Sequence, residues 1–216
     1  ILFISLFIIF ATKIDVTSSF KNNHHSKVSF DILKNPLVLL FSIAIFFYVG
    51  AEISTTNWTG SFLEKYYGIS KEEVPNILSS FWILFTIGRV VGDKLLDKVG
   101  RLKFLSICPV VSIVGIFIIL SGTSKIQALL GLSIIGISIS LIYPALQGYI
   151  IQNMDKKYIP SASAIIIIFN NLGATFLTYI IGFAGGIKIT YVFIVQIVFY
   201  LYIVFVSARY LVFKRN

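Results

Sequence analysis

Ile87-Gly88-Arg89-Val90-Val91-Gly92-Asp93-Lys94-Leu95-Leu96-Asp97-Lys98-Val99-Gly100-Arg101 joins two long apolar runs through a stretch dense in glycine and charge. A short basic connection between two membrane-length runs belongs on the cytoplasmic face of a bilayer. Working outward from it, apolar runs occupy roughly 37–57, 75–96, 104–121, 126–151, 161–184 and 189–212. About 20 residues of helix cross a hydrocarbon core of about 30 Å. The runs therefore predict six membrane-spanning helices. Strands of a membrane barrel alternate apolar and polar residues over about 10 positions. Ile165-Ile166-Ile167-Ile168-Phe169 does not alternate, which favours helices.

Composition agrees. Hydrophobic residues make up 57% of the 216-residue chain and charged residues 12%, where a soluble domain carries about 25% charged residues. Such a chain has too little polar surface to face water. The net charge of +9 would suggest nucleic acid on a soluble protein. Here its placement matters more. If the first full span runs outward, one side holds Lys13, Lys21, Lys27, Lys34, Arg89, Lys94, Lys98, Arg101, Lys103, Lys156, Lys157, Arg209, Lys214 and Arg215. The other holds only Lys65, Lys71, Lys125 and Lys188. The positive-inside rule then places the 13–35 segment and the C-terminus in the cytoplasm of a multi-pass cell-membrane protein. No nucleic-acid partner is needed to explain the charge. The lone Cys108 permits no disulfide within the chain.

Residues 1–12 read as the end of a preceding helix, because Ile1 to Ala11 is apolar but too short to span. Residues 13–35 read as a polar linker, and 36–216 as the six-helix body. Pro36 fits a first helical position, where its missing N–H costs nothing. His24 and His25 lack neighbouring Cys or carboxylates and fall short of a metal site. Asn57-Trp58-Thr59 matches a glycosylation sequon but sits at the membrane edge. There is no nucleotide loop and no nucleophile–base set, so neither an enzyme nor a cofactor is expected.

Two motif groups point further. Gly88 and Gly92 are four apart, a spacing that lets helix backbones approach closely. Arg89 and Asp93 share that spacing and are expected to pair. Asp97 is placed to cap a neighbouring helix. The alternative for the whole stretch is a basic loop anchored to lipid headgroups. Asp97-Lys98-Val99-Gly100-Arg101 resembles the loop signature of the major facilitator superfamily of transporters. Gly92 stands five residues before Asp97, one more than is usual in that signature. Tyr48-Val49-Gly50-Ala51-Glu52, then Trp58, then Ser79-Ser80-Phe81-Trp82 and Gly88-Arg89, resembles the C-terminal half of the fucose:proton symporter family within it, as does the Tyr143-Pro144 break. The resemblance implies an all-α integral membrane fold: the C-terminal six-helix bundle of a twelve-helix transporter, built as 3+3 inverted repeats. It also implies movement of sugars and related small solutes, usually with protons, and an N-terminal half as partner.

Glu52 stands out on its own. A carboxylate inside a span costs about 3 kcal/mol or more unless it faces a cavity or a partner. With Tyr48, Thr55 and Thr59 on the same stripe, it reads as a proton-titrating group or an acceptor for sugar hydroxyls, against a structural hydrogen bond to a neighbouring helix. No basic residue is expected near it in mid-membrane. In the fourth run, Ser133, Gly136, Ser140, Tyr143 and Gln147 form a stripe that Pro144 interrupts. Tyr143 and Gln147 are candidates for sugar hydroxyls, against ordinary interhelix packing. Adjacent Asn170 and Asn171 are costly in lipid without partners, and one is expected to face a cavity. Trp82 is the candidate platform for a sugar ring. Trp58 reads as an interface-belt residue at the end of its span. Gly88, Arg89, Gly92, Asp93, Asp97, Lys98, Gly100 and Arg101 are expected to form a cytoplasmic latch. An exporter of drugs or metabolites, and a non-transporting sensor or scaffold, are the competing expectations.

Overall fold

The computed structural model describes residues 29–213. The segment 1–12 and most of the linker, including His24 and His25, lie outside the described residues, as do Lys214 and Arg215. The described residues form helices: α1 Pro36–Tyr67, α2 Val74–Val99, α3 Arg101–Ser121, α4 Lys125–Ile139, α5 Ile142–Gln152, α6 Ile159–Leu172, a π-helical turn Gly173–Leu177, α7 Thr178–Ile187 and α8 Tyr191–Phe213. Short 3-10 turns at Phe30–Lys34 and Lys156–Tyr158 precede α1 and α6. Six stretches among the described residues are long and apolar enough to cross a membrane, from Pro36–Tyr67 through Tyr191–Val212.

Prolines set the helix starts. Pro36 opens α1 behind Asn35, whose side-chain oxygen accepts from the Leu37 N–H at 2.9 Å. Pro75 and Pro160 sit in the first turns of α2 and α6. There the absent N–H is one that a helix end leaves unpaired anyway. The fourth span breaks at Ser140–Leu141, and Pro144 then falls in the first turn of α5. The Ala145 N–H donating to Leu141 O at 3.1 Å restores the ladder. Gly68 ends α1 at φ +67°, and Gly100 alone separates α2 from α3 at φ +92°, both in the region that favours glycine.

The sequence boundaries were short in two places. α1 continues ten residues past position 57, to Tyr67. α2 runs to Val99, so the stretch expected to be a loop is helix up to its single joint at Gly100. Both extensions carry polar residues beyond the apolar run, and the end of α1 finds partners. The hydroxyls of Tyr66 and Tyr67 donate to the carbonyls of Leu120 and Ile119, both at 2.6 Å, in the last turn of α3. Those carbonyls would otherwise lack intrahelical partners.

Packing exchanges the two triplets of spans. The second span of each lies against the first span of the other: α2 on α4, and α6, the π turn and α7 on α1. The third spans follow the same rule, with α3 on α4 and α5, and α8 on α1. The two third spans also pack on one another. This exchange of partners between the triplets is the pairing expected of a 3+3 inverted repeat. Small residues allow the close crossings. A Cβ on Gly136 of α4 would run into the backbone carbonyl of Phe81 in α2, and one on Gly173 into that of Phe46 in α1.

Candidate functional site at Glu52

Glu52 lies halfway along α1, and Arg89 just past the middle of α2. The guanidinium Nη2 stands 3.6 Å from Oε1 of Glu52. The Glu52 side chain is 16% exposed and that of Arg89 46%. This corrects one expectation: a basic residue of the second span does reach Glu52. The sequence misled because α2 continues without interruption into the charged stretch. Arg89 also rests on the Phe85 ring, 4.4 Å from its centroid, a favourable place for a guanidinium. Phe85 in turn meets the edge of Trp82 at 5.6 Å.

Tyrosines lie on the elements next to the carboxylate. Tyr48, one turn before Glu52, is fully buried, and its ring lies 6.2 Å from that of Tyr143 on α5. Tyr200 of α8 is fully buried and within electrostatic reach of Glu52. Neither the Tyr48 nor the Tyr200 hydroxyl has a hydrogen-bond partner. Tyr48 faces the carboxylate without closing a well-formed bond. One turn further, the Thr55 hydroxyl contacts the buried amide of Gln196 on α8 at 2.9 Å. The Gln196 amide nitrogen donates to Val192 O at 3.0 Å. Sequence reasoning missed both Tyr200 and Gln196. A lone amide inside the apolar run 189–212 was a usable signal for Gln196; nothing marked Tyr200.

The remaining candidates divide. Trp82 is 43% exposed. It follows Ser79 and precedes Thr86 and Arg89 on one exposed helical stripe of α2. Tyr143 and Gln147 are half-buried one turn apart on α5. Asn170 is half-buried, and exposed Asn171 satisfies its amide on its own helix at Ile167 O, 2.9 Å away. Both precede the π turn, a rare form found mostly at functional positions. Gly136 and Ser140 do not line an open surface: Gly136 packs on α2, and the Ser140 hydroxyl donates to Ile137 O at 2.7 Å.

The Gly88–Gly92 spacing has a clear structural role. A Cβ on Gly88 would meet the Ser140 hydroxyl, and one on Gly92 the Leu141 side chain, so both seat α2 on the break in the fourth span. Lys98 is exposed in the last turn of α2, where a cation complements the helix dipole. Arg101 opens α3, packs along Gly148 and donates to Pro144 O at 3.3 Å. The side chains of Asp93 and Asp97 lie outside the described residues, and with them the expected Arg89–Asp93 pair and Asp97 cap. A cavity of about 450 Å³ opens beside Gly100, Arg101, Lys103, Gln152 and Asn153. None of its lining residues belongs to the Glu52 cluster.

The family model of the Major Facilitator Superfamily matches residues 1–215. The chain belongs to the major facilitator superfamily. A Brucella abortus protein named "Glucose/galactose transporter" is 27% identical over 171 residues, which is 78% of this chain and 41% of that protein. A Helicobacter pylori protein named "Putative glucose/galactose transporter" is 23% identical over 174 residues, 78% of this chain and 42% of that protein. "Bypass of stop codon protein 6" of Saccharomyces cerevisiae is 39% identical over 61 residues, 28% of this chain and 12% of that protein. The chain thus spans about two-fifths of the two bacterial relatives. Membership agrees with the all-helical, multi-span architecture of this major facilitator chain.

Trp58 needs correction. With α1 reaching Tyr67, it is no longer at a span end; it packs its ring on Gly182 of α7. Its Nε1–H is buried without a partner. An orphaned buried donor costs about 1–3 kcal/mol. Trp58→Phe removes that donor and keeps an aromatic ring, so the variant should melt at the wild-type temperature or above it. Differential scanning fluorimetry in detergent checks this; a clear fall in melting temperature would show that the indole nitrogen has a partner.

Proposed function

We propose that the chain is one six-helix half of a secondary active transporter that moves a small polar solute, a sugar, together with protons. A second six-helix half would complete it. The two would rock about a midplane site in alternating access. The observation that carries this reading is the Glu52–Arg89 ion pair, which joins the middle of the first span to the last turn of the second, beside the exposed Ser79–Trp82–Thr86–Arg89 stripe. Ionisable residues at that depth are costly and are kept for substrate or ion handling. In this reading Glu52 takes the coupling proton. Trp82 stacks on a sugar face, and Tyr48, Tyr143, Gln147, Asn170 and Asn171 supply polar contacts. The names of the bacterial relatives support a hexose.

Orientation follows from charge. Lys34, Lys98, Arg101, Lys103, Lys156, Lys157 and Arg209 lie at the Pro36 end of the bundle, against Lys65, Lys71, Lys125 and Lys188 at the other. The positive-inside rule puts the Pro36 end, the 13–35 linker and the C-terminus in the cytoplasm. At the cytoplasmic face, Gly88, Gly92, Gly100 and Arg101 would hold α2, α3 and the fourth span together in one state of the cycle.

Proton-gradient-driven uptake into proteoliposomes by the intact transporter tests this, against labelled glucose, galactose and fucose. The expected result is saturable uptake of at least one sugar that a protonophore abolishes. Folded protein that takes up none of them refutes the sugar assignment.

A further inference from the structure

The cavity where α2 hands over to α3 shares no residue with the Glu52 cluster. Its volume of about 450 Å³ is within the range of pockets that hold small ligands. The first turn of α3 contributes Gly100, Arg101, Leu102 and Lys103. The last turn of α5 contributes Tyr149, Gln152 and Asn153, and α8 adds Leu211.

The polar side of this cavity favours an anion. The first N–H groups of a helix have no intrahelical partner and form its positive dipole end. α3 is 21 residues long, has no side-chain cap at Gly100 and has no acidic residue in its first turn. Two cations add to that end. Arg101 is held in place: its guanidinium lies against Gly148 and donates to Pro144 O at 3.3 Å. Lys103 is exposed and in no ion pair among the described residues. No Asp or Glu lines the cavity among the described residues. The ends of α2 and α5 bring carbonyls, which oppose an anion. One of these, Tyr149 O, already accepts from the Asn153 amide at 2.8 Å.

Tyr149 points to an occupant independently of the helix end. It is 7% exposed, stacks on Phe41 at 4.8 Å and meets the edge of Tyr210 at 6.3 Å. Those contacts fix the ring. Tyr149 nevertheless lines the cavity, and its hydroxyl has no hydrogen bond among the described residues. Buried polar groups are nearly always paired, because an unpaired one forfeits its bonds to water and gains none in return. An oxygen acceptor in the cavity would satisfy it.

The apolar side indicates what carries that acceptor. Leu96, Val99 and Leu102 line the same cavity, and exposed Leu95 and Val212 stand on the same ends of α2 and α8. A charged head beside apolar chains has this pattern, and basic pockets between membrane helices bind phosphate-bearing lipid heads.

We propose that this cavity binds the phosphate group of an anionic lipid in the leaflet at the Pro36 end. Lys103, Arg101, the Tyr149 hydroxyl and the first turn of α3 supply the donors. The lipid bridges α3 and α5, which belong to different triplets of spans, and braces the joint at Gly100. Neither the sugar nor the proton assignment enters this inference.

The intact transporter in detergent is titrated with dioleoylphosphatidylglycerol, with dioleoylphosphatidylcholine and with inorganic phosphate. Affinity is read from the rise of melting temperature with ligand concentration. Phosphatidylglycerol should bind about tenfold more tightly than phosphatidylcholine, or better. Lys103→Gln should weaken it about tenfold, the loss of one charge-assisted contact, and Tyr149→Phe about fivefold, the loss of a neutral one. Both variants spare the packing, since Lys103 is exposed and Tyr149 loses only its hydroxyl. Lys157→Gln is the control: that cation rests over the Tyr158 ring at the same end and does not line the cavity. It should change the affinity by less than about twofold. Inorganic phosphate that binds as tightly as phosphatidylglycerol, and is lost in Lys103→Gln, keeps the phosphate site and overturns the lipid as its source. Phosphatidylglycerol that binds no better than phosphatidylcholine overturns the proposal. So does binding that both cavity variants leave untouched, or that Lys157→Gln weakens as much as Lys103→Gln does.

Discussion

Glu52→Gln in the intact transporter is expected to erase sugar accumulation while sparing sugar exchange. One proton crossing 100 mV releases about 2.3 kcal/mol. At about 1.4 kcal/mol per factor of ten, that sustains an accumulation of about 50-fold for one proton per sugar. The substituted glutamine keeps the shape and hydrogen-bonding capacity of a neutral carboxyl but cannot exchange a proton. The internal sugar concentration should therefore fall to that outside, a loss of about 50-fold at 100 mV. Counterflow of labelled against unlabelled sugar, which needs no net proton movement, should continue. Accumulation that persists in the variant would remove Glu52 from coupling and return it to hydrogen bonding alone. The substitution also leaves Arg89 without a counter-charge, but that side chain is nearly half exposed and stacked on Phe85, so the cost in stability is modest.

Valine at Gly136 or Gly173 is expected to have the largest effect on folding. At both positions a Cβ meets main-chain atoms of a crossing helix, Phe81 for Gly136 and Phe46 for Gly173. A side chain in the way can rotate; a carbonyl in a helix can yield only if the helix moves. Overpacking of this kind costs about 1–3 kcal/mol, and more where the backbone must shift. These crossings also set the distance between α1, which carries Glu52, and the fifth span, and between α2, which carries Arg89, and the fourth. Each variant should melt well below wild type in a fluorescence-detected size-exclusion assay, with little monodisperse protein at 37 °C. Gly186→Ala is the matched control. Nothing lies within 4 Å of where the alanine methyl would sit, and alanine is favoured over glycine in a helix interior by about 1 kcal/mol. If the two valine variants match that control, the close crossings do not hold the bundle.

Much of this architecture was readable from single residues. Pro144 announced the break in the fourth span, because a residue without an N–H cannot continue the ladder and must fall in a first turn. Glu52 announced a cavity or a polar partner, because a carboxylate among Phe, Val and Ile is costly in lipid without one. Gly88 and Gly92 announced a close crossing, although which helix crosses there was not legible. The contact of Arg89 with Glu52 was not legible, because its neighbours in sequence are the cations of the helix end, whereas its neighbour in space is Glu52. Trp58 was misassigned for the mirror reason: α1 outlasts its apolar run, held by Tyr66 and Tyr67 on the end of α3. The π turn at Gly173–Leu177 left no trace in the pattern, since an extra residue within a turn changes no residue type.

The sequence by itself determined the solvent, the number of spans and the family, because a bilayer demands about 20 apolar residues per crossing and tolerates charge only where it serves a purpose. Those are local properties, and each is written in one stretch of chain. The tertiary structure decided which groups meet. The pairing of Glu52 with Arg89, the approach of the Tyr48 and Tyr143 rings, and the Thr55–Gln196 bond depend on the rotation and depth of whole helices. Those are fixed by where small residues let the backbones cross, a property of two surfaces together that neither sequence segment contains alone.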